Sequence, residues 1–175
     1  MFNFENLDSK TRKFMLIAIE EAEKTNNIYY STRFNSNGNQ KWVPLLKDAA
    51  KQYNEHWLAY QLEANVLMKD FEGAQTPSGG YTIKHVPHTA AETMAEGQFN
   101  RFYILGLCKR ATAEGITHLE IYRAKNVTKP RPESQAMIGT KLSITDIEAQ
   151  LEVTNNSFKS PLVKPNSGLS VRIPK

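Results

Sequence analysis

Between Asp8 and Asn27 the apolar positions Met15, Ile19 and Ala22, flanked by Phe14 and Ala18, recur every three or four residues. That spacing turns one face of an α-helix toward a core, and Asp8 or Ser9 stands ahead of it as an N-cap. The next stretch, IYYSTRF, is short and β-prone, and NSNGN after it has turn composition. Trp42 and Pro44 introduce a helix in VPLLKDAAKQYN, since proline is tolerated in a first turn. Asn54 caps a third, EHWLAYQLEANVLM, on which Leu58, Leu62 and Val66 share a face. The first 70 residues are therefore predicted to be mostly helical.

DFEGAQTPSGG at 70–80 breaks the pattern, as an exposed loop or a seam between subdomains. YTIKHV alternates as a strand does, and HTAAE offers a capping box with Thr89 as N-cap and Glu92 three residues on. A long helix then runs to about Ala113, with Gly115 as its terminator and Met94, Phe102, Leu105 and Cys108 as core positions. THLEIYRAK reads as a second strand, and the prolines Pro130 and Pro132 exclude helix from NVTKPRPES. SITDIEAQL is a short capped helix, and LSVRI a last strand. The expectation is an α+β domain: a helical N-terminal part (1–70), a core around the long helix on a small sheet (71–152), and an extended tail (153–175). These are expected to make one compact domain plus a tail.

The long helix holds polar residues in its middle. Residues four apart stack on one helical face, so Glu92, Glu96 and Asn100 line up, with Arg101 one residue around. Arg123, Lys125 and Arg131 follow as cationic partners. Together these seven residues form either a structural network or, in the alternative reading, a catalytic set acting on nucleic acid. Glu120 and Lys125 lack the spacing of a metal-dependent nuclease pair, because they point to opposite strand faces.

Charge adds one asymmetry. The chain carries a net +4, and the tail from Val153 onward supplies all of it through Lys159, Lys164, Arg172 and Lys175. These four are candidate binding residues for an acidic protein surface or nucleic acid. The one cysteine, Cys108, excludes an internal disulfide and cysteine-rich metal sites. His85 and His88 lack further ligands at metal-binding spacing, and PSGG lacks the lysine of a phosphate-binding loop. No metal or other cofactor is expected. No secretory signal or membrane-spanning run is read from the chain, so synthesis in a cytosol is expected.

The segments GQFNRFYILGLCKRA, EIYRAK, PRPESQAMIG and PNSGLSVRIP resemble those of small proteins carried by tailed phages and prophages, a group that implies no particular activity. More loosely, the chain resembles phage minor head (head-morphogenesis) proteins, whose helix carries a Glu-x-x-Arg-Ala-Tyr-Asn-x-Gly pattern before a glycine turn and an aromatic-bearing strand. Arg101, Tyr103, Gly106, Gly115 and LEIYRA fit that order, whereas Gln98, Phe102 and Ile104 depart from it. No catalytic residue is carried over. The resemblance implies a virion-associated structural or assembly protein, at the minor head or lining the capsid. It would be made in the host cytoplasm and bind other virion or capsid subunits. The alternative is a phage nucleic-acid-acting enzyme or anti-defence effector built on the seven-residue cluster.

Overall fold

In the computed structural model, which describes residues 1–157 and 160–174, asparagine and aspartate caps set the first three helices. Helix α1 (Ser9–Lys24) starts where the Asp8 carboxylate accepts from the Thr11 N–H at 2.8 Å. Helix α2 (Ser36–Gln52) starts earlier than the sequence predicts. Asn35 accepts from the Gly38 N–H at 2.8 Å, so NSNGN opens a helix instead of a turn. Pro44 lies inside α2 on its exposed side, where water can serve the carbonyl that the missing N–H leaves free. Helix α3 (Glu55–Ala64) is capped by Asn54 as expected. It stops before Val66, which is 68% exposed, and Leu67 takes the buried position instead. IYYSTRF forms no strand; Phe34 makes one isolated bridge to Met68, and its ring packs on Trp42.

The punctuated segment at 70–80 is a hairpin. Strands β1 (Phe71–Gln75) and β2 (Tyr81–His85) pair antiparallel. Helix α4 (Ala90–Ala113) follows, with Thr89 before it but without a side-chain cap bond, so the predicted capping box does not form. Glu92 faces Lys125 instead. A three-stranded antiparallel sheet comes next, in the order β4 (Lys141–Ser143), β3 (His118–Arg123), β5 (Leu169–Arg172). Between β3 and β4, Pro132 begins the short helix α5 (Pro132–Ala136), correcting the expectation that proline excludes helix there. A first-turn proline loses only an N–H that has no intrahelical partner. Helix α6 (Ile144–Leu151) is capped by Ser143.

Helix α4 is the central buried element. Phe99, Phe102, Tyr103, Ile104, Leu107 and Cys108 are each 0% exposed, and Met94 is buried, while Leu105 is only partly so. Helix α1 crosses α4 at Gly106, where a Cβ would stand 2.7 Å from the Met15 backbone nitrogen. Any larger residue there would separate the two helices. The N-terminal residues strap the far side, with the Phe4 ring 4.6 Å from Tyr103 and the Asn3 N–H donating to the Ala124 carbonyl at 2.7 Å.

The tail belongs to this core. Leu162, Leu169 and Val171 are 0% exposed, and β5 pairs with β3 through Ile121 opposite Val171. Among the described residues, no helix is long and apolar enough to cross a membrane.

Two outcomes test this packing. Phe102→Ala should cost about 3–5 kcal/mol of unfolding free energy, as full burial of a phenylalanine dictates; urea denaturation reads it. Deleting residues 156–175 removes β5 and, with it, the buried side chains of Leu162, Val163, Leu169 and Val171. The truncated chain should therefore lose cooperative thermal unfolding by circular dichroism, and a folded truncated monomer would contradict the packing.

Candidate functional site

The polar middle of α4 splits because each residue advances about 100° around the helix. Asn100, 1% exposed, points toward the tail. Its amide nitrogen donates to the carbonyls of Leu162 at 3.2 Å and Leu169 at 2.9 Å, and its oxygen accepts from the Ser170 hydroxyl at 2.7 Å. Arg101, also 1% exposed, points elsewhere. Its Nε donates to the Leu151 carbonyl at 2.9 Å, and Nη2 donates to both oxygens of Asn27 at 3.1 and 2.6 Å. Leu151 ends α6, so the guanidinium meets the negative end of that helix. Burial lowers the Arg101 pKa to about 10, and the group stays charged at neutral pH. Among the described residues its Nη1 has no hydrogen-bond partner.

Glu96 and Glu92 share the face toward the loop after β3. The Lys125 ammonium pairs with Glu96 and lies 3.5 Å from Glu92. Burial raises the Glu96 pKa, and the Lys125 charge offsets this only in part. Burial works against the Lys125 ammonium, but the bond to Glu96 and the two carboxylate charges outweigh it and raise its pKa. Arg123 braces the loop before β5 and helix α5, donating to the Ser167 carbonyl at 2.8 Å and to Gln135 at 3.1 Å. Arg131 reaches the Pro165 carbonyl at 3.5 Å.

The seven candidate residues therefore do not converge on one point. Glu92, Glu96 and Lys125 make one ion-paired group beside Asn100, Arg101 locks a different seam, and Arg123 and Arg131 hold loops. The tail cations divide as well. Arg172 is not free for a partner, since it bonds Glu5 at 2.8 Å and Glu120 at 2.6 Å and lies over the Tyr122 ring. The strand β5 that carries it lies inside the domain. Lys164 is exposed, and Lys159 and Lys175 lie outside the described residues.

Beside the Glu96–Lys125 pair lies a cleft of about 550 Å³ between α4, the loop 124–129 and the loop 162–168. Glu96, Gly97, Asn100, Lys125, Lys129 and Lys164 are among its lining residues. A smaller depression shares Thr93, Gly97, Val163 and Pro165 with it, and contains Gln98, whose buried Oε1 has no partner among the described residues. Sequence reading missed Lys129, Asn126 and Thr128 here. The signal available was NVTK, a polar run directly after a strand and before a proline. Cys108 is enclosed in the core, and burial pushes its thiol pKa upward, away from reactivity. His85 packs at a tilt against Phe71, with ring centroids 4.4 Å apart. Among the described residues, no group of three or more His, Cys, Asp or Glu could hold a metal ion.

Comparison with known proteins finds no matching family model, no matching curated protein and no matching solved structure.

Arg101 serves as a structural clamp in this geometry. Arg101→Ala should lower stability by about 3 kcal/mol, because it strands the Leu151 carbonyl in the interior and removes two bonds to half-buried Asn27. Arg101→Lys should recover little of that, since one ammonium cannot reproduce the forked donors. Chemical denaturation of the three proteins measures both effects.

Proposed function

We propose that this protein is a phage virion-associated structural or assembly protein, at the minor head or lining the capsid, that works by binding other virion subunits. The observation that carries the protein-contact part of this reading is the outward face of the β1–β2 hairpin. Register places Tyr81, Ile83 and His85 opposite Gln75, Gly73 and Phe71, so all six share one face. Tyr81 is 77% exposed, Ile83 72% and Phe71 52%. The polar face turns the other way, where Glu72 takes a two-point bond from Arg33 at 2.6 and 3.0 Å. This is the reverse of a hairpin that covers its own core. Burying such side chains is worth about 1.5–3 kcal/mol each, so an apolar partner surface has much to gain here.

Next to this face is a depression of about 490 Å³, rimmed by Val66, Met68, Phe71 and His85. Val66 holds φ 51°, a rare conformation for a β-branched residue, and the Asn35 amide fastens its carbonyl at 2.7 Å. Strain at an exposed apolar residue beside an exposed apolar hairpin favours a contact surface. The virion setting rests on the resemblance to tailed-phage and minor head proteins, with synthesis in the host cytoplasm before incorporation. The internal pairing of the polar candidates, with Glu92 and Glu96 on Lys125 and the three arginines on carbonyls, favours this reading over a nucleic-acid-acting enzyme or anti-defence effector.

Mass spectrometry of purified particles from a producing host tests the reading. The wild-type chain should be present, and Tyr81→Ser/Ile83→Ser should be depleted from particles while melting at the wild-type temperature. A wild-type chain absent from particles sinks the proposal.

A further inference from the structure

The cleft beside Glu96 is built before any ligand arrives. Asn100 pins the loop 162–168 to α4 at two carbonyls, and the Ser167 hydroxyl donates to the Leu162 carbonyl at 3.0 Å. The opposite wall is tied on by the N–H groups of Ala124 and Lys125, which both donate to the Gly168 carbonyl at 2.8 and 3.0 Å. Gly168 permits this approach: it has φ 63°, and a Cβ there would lie 2.4 Å from the Lys125 carbonyl. Fixed walls reduce the ordering cost of binding. The volume of about 550 Å³ falls within the range that holds small molecules.

The cleft's unspent chemistry is cationic and donating. Three lysines line it against one carboxylate, and Lys125 is already taken by Glu96. Lys129 and Lys164 are exposed and have no carboxylate partner among the described residues. The side chains of Asn126, Thr128 and Asn166, and the backbone N–H groups of 126–129, make no internal hydrogen bond among the described residues. So many donors around two free ammonium groups match a group with several acceptor oxygens and full negative charge, which favours a phosphate over a carboxylate. The inner part differs. Phe2, Val127 and the bare surface of Gly97, all half-buried, offer apolar area, and Glu96 offers an acceptor for a hydroxyl or amino group.

We propose that this cleft binds a phosphorylated small molecule of mononucleotide size, its phosphate between Lys129 and Lys164 and its apolar ring toward Phe2 and Gly97. The site is separate from the hairpin surface and stands independently of the virion reading. The phosphate could come from a free nucleotide or from the 5′ end of a strand.

Isothermal titration calorimetry of the full chain tests it with the four nucleoside 5′-monophosphates, adenosine, inorganic phosphate and a 5′-phosphorylated tetranucleotide. At least one monophosphate should bind saturably at one site, with adenosine and inorganic phosphate each about tenfold weaker or worse. Lys129→Ala/Lys164→Ala, both surface changes, should weaken binding by about tenfold or more at an unchanged melting temperature. Gly97→Leu should block the cleft: a Cβ there meets only the Val163 carbonyl, at 3.6 Å, so the added bulk projects into open space. If that variant does not fold, the lysine pair still decides. A tetranucleotide that binds as well as the monophosphate identifies a strand end as the source, and one that does not identifies the free nucleotide. Absence of binding by every phosphorylated probe at millimolar concentration overturns the proposal, as does binding indifferent to loss of both lysines.

Discussion

The amide of Asn100 is the interaction on which the rest of this structure depends. It is fully buried, and a buried amide without partners costs several kcal/mol. Its partners are two carbonyls and a hydroxyl of the last residues of the chain, at Leu162, Leu169 and Ser170. Pro161 and Pro165 limit that stretch to a single 3-10 turn at Pro161–Val163 and short extended pieces. The amide supplies from α4 what the local backbone cannot. Once the loop is fixed, Val171 reaches its place opposite Ile121, β3 gains its second neighbour, and the two walls of the cleft stand at a set separation.

Arg101 performs a matching task on the neighbouring face of the same helix. It gathers the end of α6, where the Leu151 carbonyl has no intrahelical partner, and Asn27 in the turn after α1. Among the described residues the guanidinium bonds only to the oxygens of Leu151 and Asn27, so carbonyl dipoles meet its charge. Burial accordingly lowers its pKa. The polar residues within a long apolar helix are thus joints. Each one fastens a segment that lacks regular hydrogen bonding to the element that has it in surplus.

Much of the architecture was legible in the sequence, and the parts that were not have a common cause. Asp8, Asn54 and Ser143 announce their helices because a cap acts on the next three residues and needs nothing distant. The long helix and its buried Phe102 and Cys108 followed from length and apolar content alone. NSNGN was misread because the same residues serve turns and helix starts, and only the burial of Gly38 against the Leu67 carbonyl decides between them. Strand β2 was legible from the alternation of YTIKHV, whereas β1 was read as a loop or seam because Gly73 and the TPSGG turn that follows are the residues that usually end regular structure. The seven polar candidates looked convergent because they are close along the chain. A rotation of about 100° per residue sends Asn100 and Arg101 to different neighbours, and loop paths set where Arg123 and Arg131 end.

The division of labour among the cations follows from the same geometry. Arg172 sits on β5, where its neighbours Glu5 and Glu120 are fixed by the N-terminal strap and by β3, so two carboxylates meet its fork within 2.8 Å. Lys129 and Lys164 sit on loops that the fold positions but does not neutralise. A protein that needed only stability could place a glutamate across from either, and Glu96 is already committed to Lys125. What remains is a rigid rim with positive charge and open donors on one side of α4, and an apolar hairpin anchored through Arg33 near its start. The core satisfies its own polar groups almost completely, so these two surfaces are where the chain has interaction energy left to give.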